Sequence, residues 1–313
     1  MCNSNCSFCS YSDRDKNRQL GMSSISQLIQ DVKRLAVKAV EISGGGEPTV
    51  YPYLGDIITG LNSIDVDVAM ISNFLNIPES LWKAIGGLRW VRVSLIAMTA
   101  EEYHKITGNP RDFFVKACNN VLEYIERFRA NCYISATIMI DEREFNNEKI
   151  VSVFDFASYL HLDQIFFKLV YDKFRPKAIS SYIDINLDLC ESLEDEYMIK
   201  TNLRKLFSNE HSEYVTKDSG VVCSYISRGS SLLVTADGNC YGCLEHFASK
   251  IKPYGNINKQ SLVDIISQSN DIKNQLYCHA CSHCRVWSIR QEYEKFLETG
   301  LRQLCYDPHS NFL

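Results

Sequence analysis

The distribution of cysteine is the feature of this sequence that most restricts what it can fold into. The chain has 313 residues and thirteen cysteines, three of which, Cys2, Cys6 and Cys9, lie near its start. Three more are scattered through the interior, at Cys118, Cys132 and Cys190. The other seven form a C-terminal group: Cys223, Cys240, Cys243, Cys278, Cys281, Cys284 and Cys305. Clustered cysteines in a reducing compartment more often bind metal than form disulfides. The grouping therefore predicts two metal-binding segments.

Charge and hydropathy indicate which partners to expect. The net charge is −5, the pI is about 5.8, and lysine and arginine form no long block. A footprint for nucleic acid or anionic lipid would need such a block. The apolar runs are too short to span a bilayer, and no signal peptide precedes the first cysteines. We therefore expect a cytoplasmic protein with neither nucleic-acid nor membrane partners.

Between the two cysteine groups, short apolar β-type runs alternate with amphipathic helical patterns. The predicted strands cover 39–43, 65–72, 90–97, 132–141 and 164–171. The first amphipathic stripe starts at Ile25, with Ser24 and Gln27 placed as a capping box. Repeated β–α units favour an α/β fold with a parallel sheet or barrel. Residues 176–222 are more polar and predict a connector with a helix near 187–207, and a last helix is expected over 286–301.

The N-terminal triplet places three residues and then two between its cysteines. Three thiolates on one loop can hold three irons of a cubane cluster and leave the fourth iron open for a ligand. With Phe8 just before Cys9, the segment resembles the signature of the radical S-adenosylmethionine superfamily. The resemblance implies a catalytic [4Fe-4S] cluster whose open iron binds S-adenosylmethionine, and a 5′-deoxyadenosyl radical that abstracts hydrogen from the substrate. A zinc site or incidental thiols are the alternative.

A glycine–glutamate turn follows the first predicted strand. The segment Gly44-Gly45-Gly46-Glu47-Pro48 resembles the Gly-Gly-Glu-Pro motif of the superfamily, which implies that Gly45, Gly46 and Glu47 contact the amino group of the cofactor's methionine moiety. At the ends of the next two strands, Ser72, Asn73 and Ser94 resemble further cofactor-binding positions. Relatives frequently have Asp where Ile96 stands, and for Ser72, Asn73 and Ser94 a purely structural hydrogen bond is an equal alternative.

The C-terminal cysteines, with Gly238 four residues before Cys243 and the triplet Cys278, Cys281 and Cys284, resemble the SPASM extension or its shorter twitch form. The resemblance implies one or two auxiliary [4Fe-4S] clusters. The final spacing is shorter than in a full extension, and seven cysteines are one fewer than two complete clusters need. A zinc knuckle with His279 and His283 as spare ligands is the alternative.

These observations together predict a partial (β/α)6 TIM-like barrel in residues 1–175, a connector in 176–222 and an auxiliary-cluster domain in 223–313. The barrel's first strand, expected before Cys2, is apparently missing. The resemblance implies hydrogen abstraction from a peptide, with an external electron donor such as flavodoxin or ferredoxin. A small-molecule radical dehydrogenase or epimerase acting on an amino sugar or alcohol, and a non-enzymatic zinc protein, are the alternatives. No single catalytic acid or base stands out.

Overall fold

The computed structural model describes residues 1–6, 8–9, 15, 17–140, 145–169, 185–203, 231–244, 247 and 252–269. The chain divides into two compact units. The first contains Met1–Lys16 and Ala39–His211, and the second contains Asn17–Lys38 and Ser212–Leu313. No helix in the described ranges is long and apolar enough to cross a membrane.

The first unit is built on one parallel sheet of six strands in sequential order. Its strands are β1 (Ala39–Ile42), β2 (Asp67–Ser72), β3 (Trp90–Ile96), β4 (Tyr133–Ile140), β5 (Gln164–Leu169) and β6 (Lys200–Thr201). Its helices are α2 (Leu54–Asn62), α3 (Glu79–Ile85), α4 (Ala100–Thr107), α5 (Arg111–Phe128), α6 (Asn147–Tyr159) and α7 (Leu187–Tyr197). The five strands predicted from the sequence are confirmed within the described residues.

The sheet contains a sixth strand that the sequence did not predict, because β6 pairs in parallel with β5 through Gln164 and Lys200. The strand expected before Cys2 stays a prediction. The helix predicted near 187–207 ends at Tyr197, because Met198 adopts a left-handed backbone with φ of 54°. That reversal turns the chain so that it re-enters the sheet at Lys200.

The two faces of the sheet differ in polarity. On β3 and β5, one set of alternate residues is completely buried on the helix-covered face, including Val91, Val93, Ile165 and Phe167. Parallel sheets are buried on that face because the β–α crossovers lie against it. The opposite set, which we call the inner face, is less buried and includes Arg92 and Ser94. The sheet thus presents polar side chains on its inner face.

The second unit joins the first helix of the chain to the C-terminal module. A three-stranded antiparallel sheet of β7 (Leu233–Val234), β8 (Asn239–Tyr241) and β9 (Gly255–Asn256) precedes α8 (Leu262–Gln268). Helix α1 (Met22–Arg34) contacts α8, and its Leu28 packs with Leu35 against the core of this unit. The predicted capping box is wrong. Helix α1 starts at Met22, Ser24 Oγ donates to Asn258 Oδ1 at 2.6 Å, and Gln27 Nε2 donates to Asp31 Oδ1 at 3.0 Å.

Asp31 ties these two helices together. Its side chain is 1% exposed, and its Oδ2 accepts a hydrogen bond of 2.8 Å from the backbone N–H of Leu262 at the start of α8. Asp31→Ala leaves that buried N–H without its partner, so we expect the free energy of unfolding to fall by about 2 kcal/mol. Urea titration of the variant and of Ser26→Ala, an exposed change on the same helix, measures the difference. Equal stability of the two variants would contradict this role of Asp31.

Candidate active site

The three N-terminal cysteines lie together on one loop of the first unit. All three are partly exposed, and the backbone N–H of Cys9 donates to the carbonyl of Cys6 at 3.2 Å. Burial raises the pKa of the Cys6 thiol, Asn109 opposes that shift, and nearby Cys2 and Cys9 raise the pKa further. The three thiols are therefore close enough to influence one another. Within the described ranges, no three His, Cys, Asp or Glu side chains converge on a single metal ion.

Asn109 connects the cysteine loop to the end of α4, and no motif in the sequence indicates it. Its side chain is 5% exposed; Nδ2 donates to Cys6 Sγ at 3.5 Å, and Oδ1 accepts from the backbone N–H of Asn5 at 3.2 Å. The Asn109 backbone is fixed in turn, because its N–H donates to Thr107 Oγ1 at 3.0 Å and its carbonyl lies 2.7 Å from His104 Nδ1. A rigid amide is thus held against one candidate metal ligand.

Glu47 is the centre of a second network, at the carboxyl ends of β1 and β2. Its carboxylate is buried and accepts four hydrogen bonds from the protein. Oε1 accepts from the Thr49 N–H at 3.0 Å, from Thr49 Oγ1 at 2.9 Å and from Ser72 Oγ at 2.6 Å. Oε2 accepts from the backbone N–H of Asn73 at 2.7 Å. The glutamate of the predicted cofactor motif therefore also fixes the two strand ends relative to each other.

Asn73 extends this network to the cysteine loop. Its Nδ2 donates to Asn3 Oδ1 at 2.7 Å and to Ser4 Oγ at 3.2 Å, and its Oδ1 accepts from the N–H of Leu75 at 3.1 Å. Asn3 and Ser4 lie between Cys2 and Cys6. Glu47, Ser72 and Asn73, selected separately from the sequence, thus form one hydrogen-bonded unit with the loop that carries the thiols.

The glycines of the turn are required by its geometry. Gly44 has φ of +148°, a conformation that side chains disfavour. At Gly46, a Cβ atom would lie 2.2 Å from the carbonyl oxygen of Met1, and that same oxygen accepts from the Glu47 N–H at 3.0 Å. The turn and the cysteine loop therefore approach each other as closely as backbones can. Pro48 is buried and starts the short 3-10 helix Pro48–Val50, for which Glu47 is the cap.

Phe8 anchors the cysteine loop to an apolar cluster at the end of β3. It packs against buried residues that include Ile96, Tyr103 and Phe114. Ile96 has φ of 71°, which is strained for a β-branched residue, and it lies where the β3–β4 pairing shifts register. Ser94 lies within this irregularity, between Val93 and Ile96, on the inner face. The aromatic residue of the cysteine motif thus has a packing role, and direct contact with the cofactor stays a prediction.

In the second unit, the structure describes two of the seven C-terminal cysteines. Cys243 is 9% exposed, whereas Cys240 is fully buried among Tyr254, Ile257 and Ile265, and burial raises the pKa of its thiol to about 12. The buried Cys240 thiol contributes to the core of this unit, and its role as a metal ligand stays a prediction. Cys223, Cys278, Cys281, Cys284 and Cys305, with His279, His283 and the helix expected over 286–301, lie outside the described residues.

The interior cysteines have the surroundings expected of core residues. Cys132 and Cys190 are buried, and Cys118 packs at the edge of the apolar cluster around Tyr103. Burial raises the pKa of Cys118 and Cys132 to about 12 and that of Cys190 to about 11. Thiols with such pKa values are protonated at neutral pH and are poor nucleophiles.

The first unit fits the cofactors that the sequence predicts. Three accessible thiols on one loop suit three irons of a cluster, with a donor already directed at one sulfur. At Gly44, where a Cβ atom would meet nothing closer than 3.9 Å, backbone without a side chain leaves a ligand room to approach. Both features lie at the carboxyl ends of parallel strands, where α/β proteins bind ligands.

Solved structures share the fold of this chain. SuiB from Streptococcus suis, bound to S-adenosylmethionine, matches with a TM-score of 0.63 and 14% identity over 92% of this chain and 72% of its own. SuiB bound to its precursor peptide SuiA gives 0.60, and there this chain spans 62% of the SuiB chain. The anSMEcpe enzyme with bound AdoMet and the Cp18Cys peptide gives 0.58 at 14% identity, covering 91% of this chain and 83% of its own. These matches confirm the fold as a partial TIM barrel.

Among curated proteins, a probable GTP 3′,8-cyclase of Saccharolobus islandicus is 25% identical over 283 residues, which is 88% of each chain. The Radical SAM superfamily matches residues 1–157, and the SPASM iron–sulfur cluster-binding domain matches residues 223–285. These matches favour iron–sulfur clusters over the zinc alternatives and S-adenosylmethionine as the cofactor. The chain is a member of the radical S-adenosylmethionine superfamily, an enzyme with a SPASM domain.

Proposed function

We propose that this enzyme abstracts a hydrogen atom from a peptide substrate. When bound, the cluster and S-adenosylmethionine would supply a 5′-deoxyadenosyl radical able to abstract hydrogen from a substrate C–H bond. The main observation in support of radical chemistry is one hydrogen-bond network. It joins Glu47, Ser72 and Asn73 to the loop that contains the three cysteines. The electron comes from an external donor such as flavodoxin or ferredoxin.

The roles of the chain's own residues follow from this network. Cys2, Cys6 and Cys9 would hold the cluster, and Asn109 would donate to the sulfur of Cys6. Gly45 and Gly46 would bring backbone polar groups to the amino group of the cofactor. Ser94, on the inner face of β3, would contact its ribose or carboxylate. In the SPASM domain, Cys243 and the cysteines at 223 and 278–284 would hold at least one auxiliary cluster.

The peptide substrate is supported by two solved relatives whose structures contain peptides, SuiB with SuiA and anSMEcpe with Cp18Cys. A second candidate is cyclisation of GTP, because the curated relatives carry that name over most of this chain. A triphosphate requires several uncompensated cations. The inner face instead places the Glu41 carboxylate near Arg92 and Lys168, which favours a substrate with less negative charge.

The test is a comparison of substrates with anaerobically reconstituted enzyme. Peptides encoded beside its gene, GTP and an amino sugar are each incubated with S-adenosylmethionine and a reductant. We expect iron and sulfide in equal amounts, 5′-deoxyadenosine in every reduced sample, and a mass change in a peptide only. Conversion of GTP or of the amino sugar, with all peptides unchanged, would contradict the peptide proposal and leave the radical chemistry intact.

Asn109 offers a test of the cysteine loop that does not depend on the substrate. Asn109→Asp keeps the acceptor for the Asn5 N–H, removes the donor to Cys6 and adds a negative charge. Both changes disfavour addition of an electron to the cluster. We expect its reduction potential to become more negative by about 20–60 mV, the equivalent of one ordinary hydrogen bond. Redox titration followed by electron paramagnetic resonance measures the potential.

Asn146→Asp is the matched control for that titration. Asn146 caps α6 with its side chain, and aspartate caps a helix equally well, so this variant adds the same charge away from the cysteine loop. Its potential should match that of the unchanged enzyme. An equal shift in both variants would mean that net charge, and not the Asn109 hydrogen bond, determines the potential.

A further inference from the structure

A row of polar residues crosses the inner face of the sheet near its middle. Arg92 of β3 pairs in register with Ser135 of β4, and Ser135 pairs with Gln164 of β5. Paired residues in parallel strands direct their side chains to the same face. Three consecutive strands therefore present a guanidinium, a hydroxyl and an amide at one level of the sheet. No direct contact with cofactor or substrate has so far been assigned to these three residues.

Two buried atoms of this row have no hydrogen-bond partner in the part of the chain that the structure describes, Nε of Arg92 and Oε1 of Gln164. Buried polar atoms in folded proteins almost always have partners, and an exception calls for an explanation such as a ligand. One of the two atoms is a donor and the other is an acceptor. Ser135 is already occupied, because its Oγ donates to the carbonyl of Val91 at 3.3 Å.

Aromatic rings hold the guanidinium of Arg92 in place. Its Cζ lies 4.2 Å from the centre of the Phe166 ring and 5.2 Å from that of Trp90. Burial lowers the pKa of Arg92, and the Glu41 carboxylate opposes that change. Stacking between a guanidinium and aromatic rings leaves its edge, where the N–H groups lie, free to donate hydrogen bonds. The side chain is thus preorganised with an unused donor.

Glu41 of β1 adds a negative charge near Arg92. Burial among surrounding protein atoms raises the pKa of its carboxyl, and Arg92, Ser43 and Lys168 oppose the shift. A carboxylate close to the Arg92 guanidinium weakens this part of the inner face as a site for polyanions.

An unused donor and an unused acceptor on one face of the sheet are complementary to one extended peptide residue, whose carbonyl oxygen and N–H point to the same side. We propose that Arg92 and Gln164 bind the backbone of one residue of the peptide substrate, with Arg92 Nε donating to an amide oxygen and Gln164 Oε1 accepting from the N–H of the neighbouring amide. This proposal rests on the peptide substrate proposed above and specifies how that substrate is held. Ser94 lies two residues further along β3 on the same face, about 7 Å from Arg92. The substrate residue would thus be bound next to the proposed cofactor-binding end of the sheet.

The test measures binding without turnover. The probe is N-acetylalanine N′-methylamide, a blocked residue with two amides, added to the reconstituted but unreduced enzyme with S-adenosylmethionine and followed by ligand-observed nuclear magnetic resonance. Acetate and inorganic phosphate are titrated separately. Gln164→Met keeps the shape of the side chain and removes its acceptor. We expect it to weaken binding of the probe about 2- to 12-fold, the effect of losing one hydrogen bond. Arg92→Lys, which removes the guanidinium N–H groups, should also weaken binding of the probe.

A stability measurement distinguishes a binding role from a structural one. Because Oε1 of Gln164 has no partner in the free protein, Gln164→Met should leave the urea midpoint unchanged or higher while binding weakens. Gln30→Met, an exposed change on α1, is the control and should alter neither property. A lower midpoint with unchanged binding would overturn the proposal.

Two further outcomes would also overturn it. The first is a probe that binds the variants and the unchanged enzyme equally. The second is a site that takes acetate or phosphate through Arg92 alone, with no effect of Gln164. Failure of the peptide proposal would be observed in a different experiment. It would appear as turnover of GTP or an amino sugar with the peptides unchanged, and not as a change in binding of the probe.

Discussion

Replacing Glu47 with glutamine is expected to lower the free energy of unfolding by about 3 kcal/mol. The carboxylate accepts from four donors, three on Oε1 and one on Oε2. An amide has one oxygen, so its NH2 group must face at least one of these donors. In the less costly orientation it faces the backbone N–H of Asn73, which cannot rotate away. A buried N–H that loses a charged acceptor accounts for an effect of this size.

The same substitution should also reduce the iron content, because Asn73 holds Asn3 and Ser4 of the cysteine loop. Urea unfolding gives the stability, and iron and sulfide per chain after anaerobic reconstitution give the state of the loop. Glu126→Gln, an exposed change on α5, is the control and should alter the stability by less than about 0.5 kcal/mol. Unchanged stability together with weaker cofactor binding would mean that Glu47 serves the cofactor alone.

Glu47 has two candidate roles, one toward the cofactor and one within the protein. The resemblance assigns Glu47 to the cofactor's amino group, and the structure shows in addition that the carboxylate joins two strand ends and, through Asn73, the cysteine loop. Oε2 has one protein donor and retains capacity for another. Glu47 can therefore serve both roles, with Oε1 committed to the protein.

Much of the fold follows from local sequence pattern. The strands predicted from short apolar runs are found as β1 to β5. Hydrophobic periodicity and residue type are local properties of the sequence, and tertiary packing here agrees with the secondary structure that they favour. The missed strand, β6, has two residues, and so short a segment carries no period. It is fixed instead by distant contacts, since the Asn202 side chain bonds both the N–H and the carbonyl of Phe167. No pattern around Asn202 indicates that pairing.

The candidate site was predictable where chemistry constrains residue type. Thiolates that hold a cluster and glycines beside a ligand are confined to few residue types, so Cys2, Cys6, Cys9 and Gly46 could be selected individually as candidates, and their roles stay a prediction. Asn109 could not, because an asparagine after a glycine ordinarily predicts a turn. Its position against Cys6 depends on contacts across more than a hundred residues. Residues that orient ligands are selected by geometry and leave little local signal.

The packing of α1 against the C-terminal module could not be predicted either, because it depends on contacts between residues that are distant in the sequence. The apolar stripe of α1 correctly predicts a buried face, but it does not say what covers that face. Ser24 matches a capping-box pattern, and the structure uses it instead for a hydrogen bond to Asn258. The boundaries at 175 and 222 predicted for the domains stay a prediction.

Replacing Gly46 with alanine should remove most of the iron from the N-terminal loop. The added Cβ would lie 2.2 Å from the carbonyl oxygen of Met1 and 3.3 Å from its carbonyl carbon. Both contacts are with backbone, so no side-chain rotation relieves them. Either the loop that carries Cys2 moves away or the glycine turn does, and each displacement breaks the hydrogen bond from the Glu47 N–H to Met1.

Iron and sulfide per chain and equilibrium binding of S-adenosylmethionine measure the effect of Gly46→Ala, and circular dichroism shows whether the sheet persists. The control is Gly55→Ala in α2, where a Cβ would lie 3.7 Å from Ala84 Cβ, an ordinary contact. That variant should gain about 0.5–1 kcal/mol of stability, because alanine is the better helix former. Full iron incorporation and unchanged cofactor affinity in Gly46→Ala would show that the loop can move without loss. In that case the close approach of the two backbones would be a consequence of packing and not a requirement of the site.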